Sequence, residues 1–398
     1  MCLRVERNLM LVWLFTACMS TLFFVPVAVS YYTEQVGLGY REFLFGEAAF
    51  AASIVLFDVP TGWISDVWRR KHTLILGVVS WIAGLGCLLI AGSLWHIVLA
   101  ETLMGIGYSL LSGTNTAFIY DTLLSAGREG EYRKLEGKRL AVSLYAMAGA
   151  SVVGGFFYSI APRLPIMLSL VMQFAALVVA GLMDEPERHK RLAEKHPVID
   201  VFETVKYALH GHADIGFLII FAATMFCATK LIMWSQQPYY IALHLPMTAF
   251  GILVAVSYGL GGLSSHLAHR LDGKVDTLRA LIGAWFVALL VCIGASTIMG
   301  LPGIGLLMIG GSCIYGTTLP RVNEAINRFV GSERRATVLS TQSLMTNLLS
   351  IPLSSVTGWI SGLWGVAGSL YAIALWLLLA GFCLCGWGLR KQRSLQAR

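Results

Sequence analysis

The sequence predicts an all-α membrane protein with twelve transmembrane helices in two bundles of six, and three observations carry that expectation. Of 398 residues, 57% are hydrophobic and 13% charged, with a mean hydropathy of +0.71. An average soluble domain is about 25% charged. Twelve apolar stretches are long enough to cross a hydrocarbon layer about 30 Å thick, and no hydrophilic stretch between them is long enough to form a soluble domain. Finally, 25 of the 29 Lys and Arg residues fall in alternate connections, in the terminal segments on the same side or in the first residues of the spans that follow them, the asymmetry that sets membrane topology.

In order, the first span is drawn at 9–31. Arg4 and Arg7 precede it, as in a secretion signal. A cleaved signal has a core of only about 7–15 apolar residues, so this longer run reads as a retained helix. The next spans are 43–65, 72–93, 96–120, 138–160 and 164–183, with a tight break near Gly92 and Ser93. Residues 184–213 form the single long hydrophilic interruption. Within them Val198, Val201, Phe202, Val205 and Leu209 keep a helical spacing, which suits an amphipathic helix on a membrane surface. The second half gives spans 214–240, 247–268, 277–298, 302–327, 336–360 and 364–389. The expected organisation is therefore an N-terminal bundle over 1–183, a linker over 184–213 and a C-terminal bundle over 214–398.

With both termini inside, only Arg41 and Arg163 lie in external loops, and Lys230 and Arg321 lie within spans. The net charge of +7 thus marks a cytoplasmic membrane face and not a nucleic-acid groove. The eight cysteines fall almost entirely inside apolar spans without metal or disulfide spacing, and read as small packing residues. No metal site and no cofactor are expected. His189, His196, His210 and His212 are scattered through the linker as solvated histidines.

An internal repeat supports two halves. A shift of 203 residues carries Gly113 and Thr114 onto Gly316 and Thr317, Asp121 onto Glu324, Gly155 onto Gly358, Asp66 onto His269 and Lys71 onto Lys274. One constant offset at three separated places is hard to reconcile with unrelated helices.

The stretch FDVPTGWISDVWRRKHTLI, residues 57–75, joins two apolar spans through a basic turn. Positive-inside topology accounts for Arg69, Arg70 and Lys71. It does not account for Asp66, one helical turn beyond Gly62 and on the same face. Gly62, Asp66, Arg70 and Lys71 resemble the loop 2-3 motif of the major facilitator superfamily, roughly G-x-L-A-D-R-x-G-R-K, with Arg69 at a glycine position. That resemblance implies the major facilitator fold: two six-helix bundles with nested inverted repeats, helices 1, 4, 7 and 10 lining a cavity and helices 2, 5, 8 and 11 between the bundles. It also implies that Asp66 holds a cytoplasmic gate shut against the start of helix 11, near Arg334 and Arg335. His269 and Lys274 stand for the second, degenerate copy of the motif, where the clamp is weaker.

A charge in lipid costs at least about 2.5–3.5 kcal/mol, so polar residues within spans are candidates for function. Asp58, Glu101, Asp121 and Glu324 are the candidate proton-coupling groups. The candidate cavity residues are Asn115, Lys230, Trp234, Gln237, Arg321 and Asn323. Two partners suit Arg321: Asp121 of the other bundle, or Glu324 in its own helix at i, i+3. Helix 7 carries the densest polar set, KLIMWSQQPYY, although Trp234, Tyr239 and Tyr240 also fit an interfacial belt. In helix 4, LAETLMGIGYS aligns through Gly105 and Gly107 with a second family motif, roughly R-x-x-Q-G-x-G. Glu101 stands where that motif has arginine, either as a protonation site and counter-charge for a group such as Lys230, or as a carboxylate solvated near the outer surface.

The implied function is a secondary transporter of a small solute working by alternating access in the inner membrane as a monomer, with protons as its partners. Helix 5 keeps Gly154 and Gly155 from the closing glycines of the antiporter motif G-P-x-x-G-G but lacks the Gly-Pro step. Proton-coupled export by antiport is the leading expectation, and proton-coupled uptake of a metabolite or siderophore is the alternative. No phosphate-binding loop is present. A membrane-embedded enzyme is the remote alternative, with His266, His269 and Asp272 as its sole clustered ligands.

Overall fold

The computed structural model describes residues 2–186, 213–268, 277–329 and 332–396. The expected linker helix, His269 and Lys274 lie outside these residues, and so do the side chains of Asp66, Asn323 and Glu324. What is described is helical with short connections: α1 (Cys2–Ser20), α2 (Tyr40–Val67), α3 (Arg70–Leu89), α4 (Leu94–Leu124), α5 (Tyr132–Ile160) and α6 (Leu164–Leu182) in the first half. The second half holds α7 (Ala213–Ala242), α8 (Met247–Ala268) and α9 (Thr277–Thr297). In α10, the helices Leu301–Met308 and Ile314–Phe329 are joined by a π-helical turn, Ile309–Cys313. The last helical run, Ser332–Gln396, breaks at Trp364 and Gly365, where Gly365 has φ 65°. Its apolar part, Thr341–Leu384, is 44 residues long, about 66 Å at 1.5 Å per residue. That is twice a bilayer, so the run is two crossings, α11 before the break and α12 after it.

The first span departs from expectation. Regular helix stops at Ser20 and gives way to a 3-10 turn at Val25–Val27, one α turn at Ala28–Tyr31 and a π turn at Tyr32–Val36. Pro26 has no N–H to continue the ladder. Neighbouring helices supply partners instead: Ser169 Oγ of α6 accepts from Phe23 N at 2.9 Å, and a Cβ at Gly154 of α5 would collide with the Phe23 carbonyl oxygen.

By its contacts the chain forms two compact units, residues 1–198 with 246–258, and residues 199–245 with 259–398. The division drawn from the sequence leaves α8 whole in the second half, whereas the first turns of α8 pack with the first unit. Gly155 of α5 meets Gly251 of α8 there, with 2.9 Å from its would-be Cβ to the Gly251 nitrogen.

The core of the first unit is built from Val5, Leu9, Val12 and Phe15 of α1 against Leu74 and Val78 of α3, Ile119 and Leu123 of α4, and Ala176 and Val179 of α6. The spacing of three and four places each set on one helical face. Lipid is as apolar as leucine, so helix association in a membrane depends on close packing through small residues. Here α4 is the hub. A Cβ at Gly105 would sit 2.7 Å from the Phe50 carbonyl oxygen of α2, and one at Gly107 would sit 2.8 Å from that of Gly77 in α3.

The second unit is organised around α7, the most buried of the described spans. Phe221 of α7 packs on Trp285 of α9 with ring centroids 5.1 Å apart. The π turn of α10 places Gly310 and Gly311 against Ile232 and Met233 of α7. Gln236 of α7 donates to the Leu307 carbonyl at 3.3 Å.

Candidate functional site

At the turn between α2 and α3, the charged motif residues are held from three directions. Arg70 donates from Nε to Asp121 Oδ2 of α4 at 3.1 Å, each side chain being 13% exposed. Its Nη1 donates to Ser65 Oγ of α2 at 2.8 Å, and Thr114 Oγ1 of α4 donates to the same Ser65 oxygen at 2.8 Å. The carboxylate of Glu185 accepts from the backbone N–H groups of Arg70 and Lys71 at 2.8 and 2.9 Å. Those are orphan donors at the positive end of α3, where an anion is favoured. Lys71 Nζ donates to the Gly181 carbonyl at 2.6 Å. Gly62 is exposed, and nothing lies within 4 Å of where a Cβ would stand.

Asp121 is thus neutralised by Arg70 within its own unit. Ser65, Thr114 and Glu185 escaped the sequence reading. Glu185 had a visible signal, an acidic residue just after a helix in a bundle whose α3 begins with no side-chain cap. At the surface nearby, Arg128 donates to Glu131 and Glu6, and its hydrogen bonds hold the Glu131 carboxyl below the usual range.

Glu101 is buried, and its Oε1 accepts a hydrogen bond from the Tyr32 hydroxyl at 2.8 Å. The reading of Glu101 as a surface-solvated carboxylate is therefore overturned. Gly46 of α2 leaves room for it, since a Cβ there would be 3.1 Å from Glu101 Cγ. Glu47 of α2 is buried as well. Asp58 is half-buried on α2.

The first unit also encloses a cavity of about 540 Å³, within the range of small-molecule sites. Arg139, Ser143, Met147 and Ser151 present one stripe of α5 to it at intervals of four residues. From α4 come Tyr108, Ser112 and Asn115, also on one face. Phe50, Trp81 and Tyr258 supply further aromatic wall. The buried Asn115 Oδ1 has no hydrogen-bond partner among the described residues, and a buried unsatisfied acceptor costs about 1–3 kcal/mol. Asn115, a candidate cavity residue from the sequence, is among the residues lining this cavity. Arg139 was counted only as a topology marker, though the i, i+4 series Arg-Ser-Met-Ser could have revealed it.

The remaining candidates lie in the second unit. On α7, Gln237 is buried, and Lys230 and Trp234 are half-buried. Arg321 of α10 is buried, and Asn323 and Glu324 follow it on the same helix. Tyr239 and Tyr240 do not form an interfacial belt. Both are fully buried, donating to the Ile298 carbonyl at 2.9 Å and to Gln236 Oε1 at 3.2 Å.

The profile of the Major Facilitator Superfamily matches residues 9–354. The chain belongs to that superfamily. A folate-like transporter of Dictyostelium discoideum is 21% identical over 346 residues, 84% of this chain. The chain spans 58% of the length of that relative. Among solved structures, the nucleoside transporter NupG superposes with a TM-score of 0.75 at 12% identity, covering 96% of this chain and 98% of the other. A bacterial homologue of the human lysosomal transporter Spinster, inward-facing and unoccupied, gives 0.74 at 16% identity, covering 99% and 98%. A D-xylose-proton symporter gives 0.68 at 12%, covering 96% and 97%. Identities this low speak for the fold. As a superfamily member the chain is a multi-pass membrane protein with the major facilitator transporter fold.

Proposed function

We propose that this superfamily member is a proton-coupled transporter of a small organic solute, working by alternating access as a monomer in the inner membrane with both termini cytoplasmic. The observation that carries the reading is the first-unit cavity, whose aromatic and hydroxyl walls surround the unsatisfied Asn115 acceptor. Distribution of Lys and Arg supports the topology. The buried Glu101 supports proton coupling, because an ionisable side chain within a span marks a functional position, and Tyr32 gives it a defined partner. Asp66 is the proposed gating residue, with Gly62, Arg70 and Lys71 as its motif partners and His269 and Lys274 as the second copy. Asp58, Asp121 and Glu324 remain further coupling candidates, with Asp121 engaged by Arg70. Lys230, Trp234, Gln237, Arg321 and Asn323 are proposed second-unit contributors to solute binding.

For direction, export in exchange for protons is the first reading, on the retained Gly154 and Gly155 of the antiporter motif. Uptake with protons is the second, favoured by the shared fold with a D-xylose-proton symporter. The folate-like relative adds pterin-like solutes to those worth testing. A thermal-shift screen across antibiotics, siderophores, amino acids, nucleosides, pterins and lipids identifies the solute. Transport into proteoliposomes then tests the function, and a protonophore should collapse accumulation. Solute flux that ignores the proton gradient in both orientations would exclude coupling.

A further inference from the structure

The cavity has polarity along its length as well as volume. Asn115 lies nine residues before the end of α4 and Arg139 seven after the start of α5, about 13 and 11 Å along their axes at 1.5 Å per residue. These consecutive helices share a short connection, so the two side chains belong to the same level. Ser112 and Ser143 lie close by in sequence. Tyr108 and Met147 come one to two turns further from the connection, and Phe50 packs against Tyr108 with ring centroids 5.9 Å apart. The end nearer the connection therefore carries the amide and guanidinium with Ser112 and Ser143, and the further end carries the aromatic rings and Met147, where the Ser151 hydroxyl donates to the Met147 carbonyl.

Arg139 is the one charged residue among the lining residues. Its Nε and Nη2 donate to the carboxylate of Glu136, at 2.9 and 2.6 Å, three residues back on α5. Glu136 does not itself line the cavity. Nη1 bonds to none of the described residues. A guanidinium presents its donors as a planar fork suited to a carboxylate or phosphate, so an anion entering this cavity meets a fork already set for one.

We propose that the cavity binds an organic anion bearing a flat ring, whose anionic group takes Arg139 in exchange for Glu136 while the ring lies among Tyr108, Trp81 and Phe50 and a donor on the solute satisfies Asn115 Oδ1. This deepens the transporter reading and rests on it. Glu136 serves as a resident counter-ion: it neutralises Arg139 in the empty cavity and is released when the solute arrives. An aliphatic or neutral solute would leave either the ring walls or the guanidinium unused.

The test is isothermal titration of the full-length protein in detergent with 4-hydroxybenzoate, 2-naphthoate and indole-3-acetate, each beside its neutral amide. The expected result is at least about tenfold tighter binding of the carboxylates than of the amides, as a charge-assisted bidentate contact supplies. Arg139→Gln should abolish that difference and Arg139→Lys retain part of it. Glu136→Gln should tighten carboxylate binding severalfold while leaving the amides unchanged. A merely structural ion pair would instead make Glu136→Gln and Arg139→Gln lower the melting temperature alike and leave the carboxylate preference intact. Amides binding as tightly as carboxylates, no carboxylate binding at all, or a preference that survives Arg139→Gln would each overturn the proposal. The transporter reading fails separately, when well-folded protein in vesicles moves no solute of any class.

Discussion

Asp121 and Glu101 both sit on α4, and the fold gives them opposite surroundings. Asp121 faces a guanidinium, whereas Glu101 faces a phenol. Asp121→Asn removes half of a charge-assisted pair and should cost about 1.5–3 kcal/mol of stability. Denaturation in detergent checks this, and a cycle with Arg70→Gln should show less than additive loss, since the partners are in contact. Asp66→Asn is expected to slow transport several-fold with the melting temperature unchanged, because its proposed role is in gating. An equal loss of stability and transport would contradict that role. The sequence singled out Glu101, Asp121, Arg70 and Asn115 by depth and motif position. It did not pair them, because which carboxylate meets which cation depends on how helices far apart in sequence are rotated. Tyr32 sits in an irregular segment that no periodicity describes, so its bond to Glu101 was not legible.

Among the elements, α4 packs closely on α2 and α3 and owes this to glycine. Gly105→Ala would push a Cβ to 2.7 Å from the Phe50 carbonyl oxygen, and should destabilise by about 1–3 kcal/mol. Gly113 of the same helix has nothing within 4 Å of a Cβ, and Gly113→Ala should stabilise by about 0.4–1 kcal/mol. Opposite signs in thermal melts of the two variants check the packing; matching signs would mean the α2 and α4 backbones are not in contact. Long helices were legible because a bilayer demands about 20 apolar residues in a row, and most drawn ends fall within a few residues of the observed ones. The turn at Trp364 and Gly365 falls at the drawn boundary of the last span. Two features were not legible. The early end of α1 at Ser20 goes with α6 supplying Ser169 as a partner to Phe23 N and α5 leaving room at Gly154 for the Phe23 carbonyl, and the π turn in α10 comes from Gly310 and Gly311 meeting α7.

At the scale of the whole molecule, the multi-pass helical fold and family membership were readable from the apolar spans, the repeat at 203 residues and the motif at Gly62 to Lys71. The cavity was not, because it is formed by faces of five helices and the first turns of α8 together. Sequence reasoning concentrated the solute site on α7, while the described cavity draws its polar end from α4 and α5. That cavity and the buried Glu101 carboxylate share α4, so the proposed solute and proton movements would use one structural element. The most direct measurement is solute accumulation in proteoliposomes under an imposed pH gradient, with a pH-sensitive dye inside, for the wild type and Glu101→Gln. The account predicts that the wild type accumulates solute and moves protons with it, whereas Glu101→Gln still exchanges solute downhill but no longer accumulates it. Full gradient-driven accumulation by Glu101→Gln would contradict it.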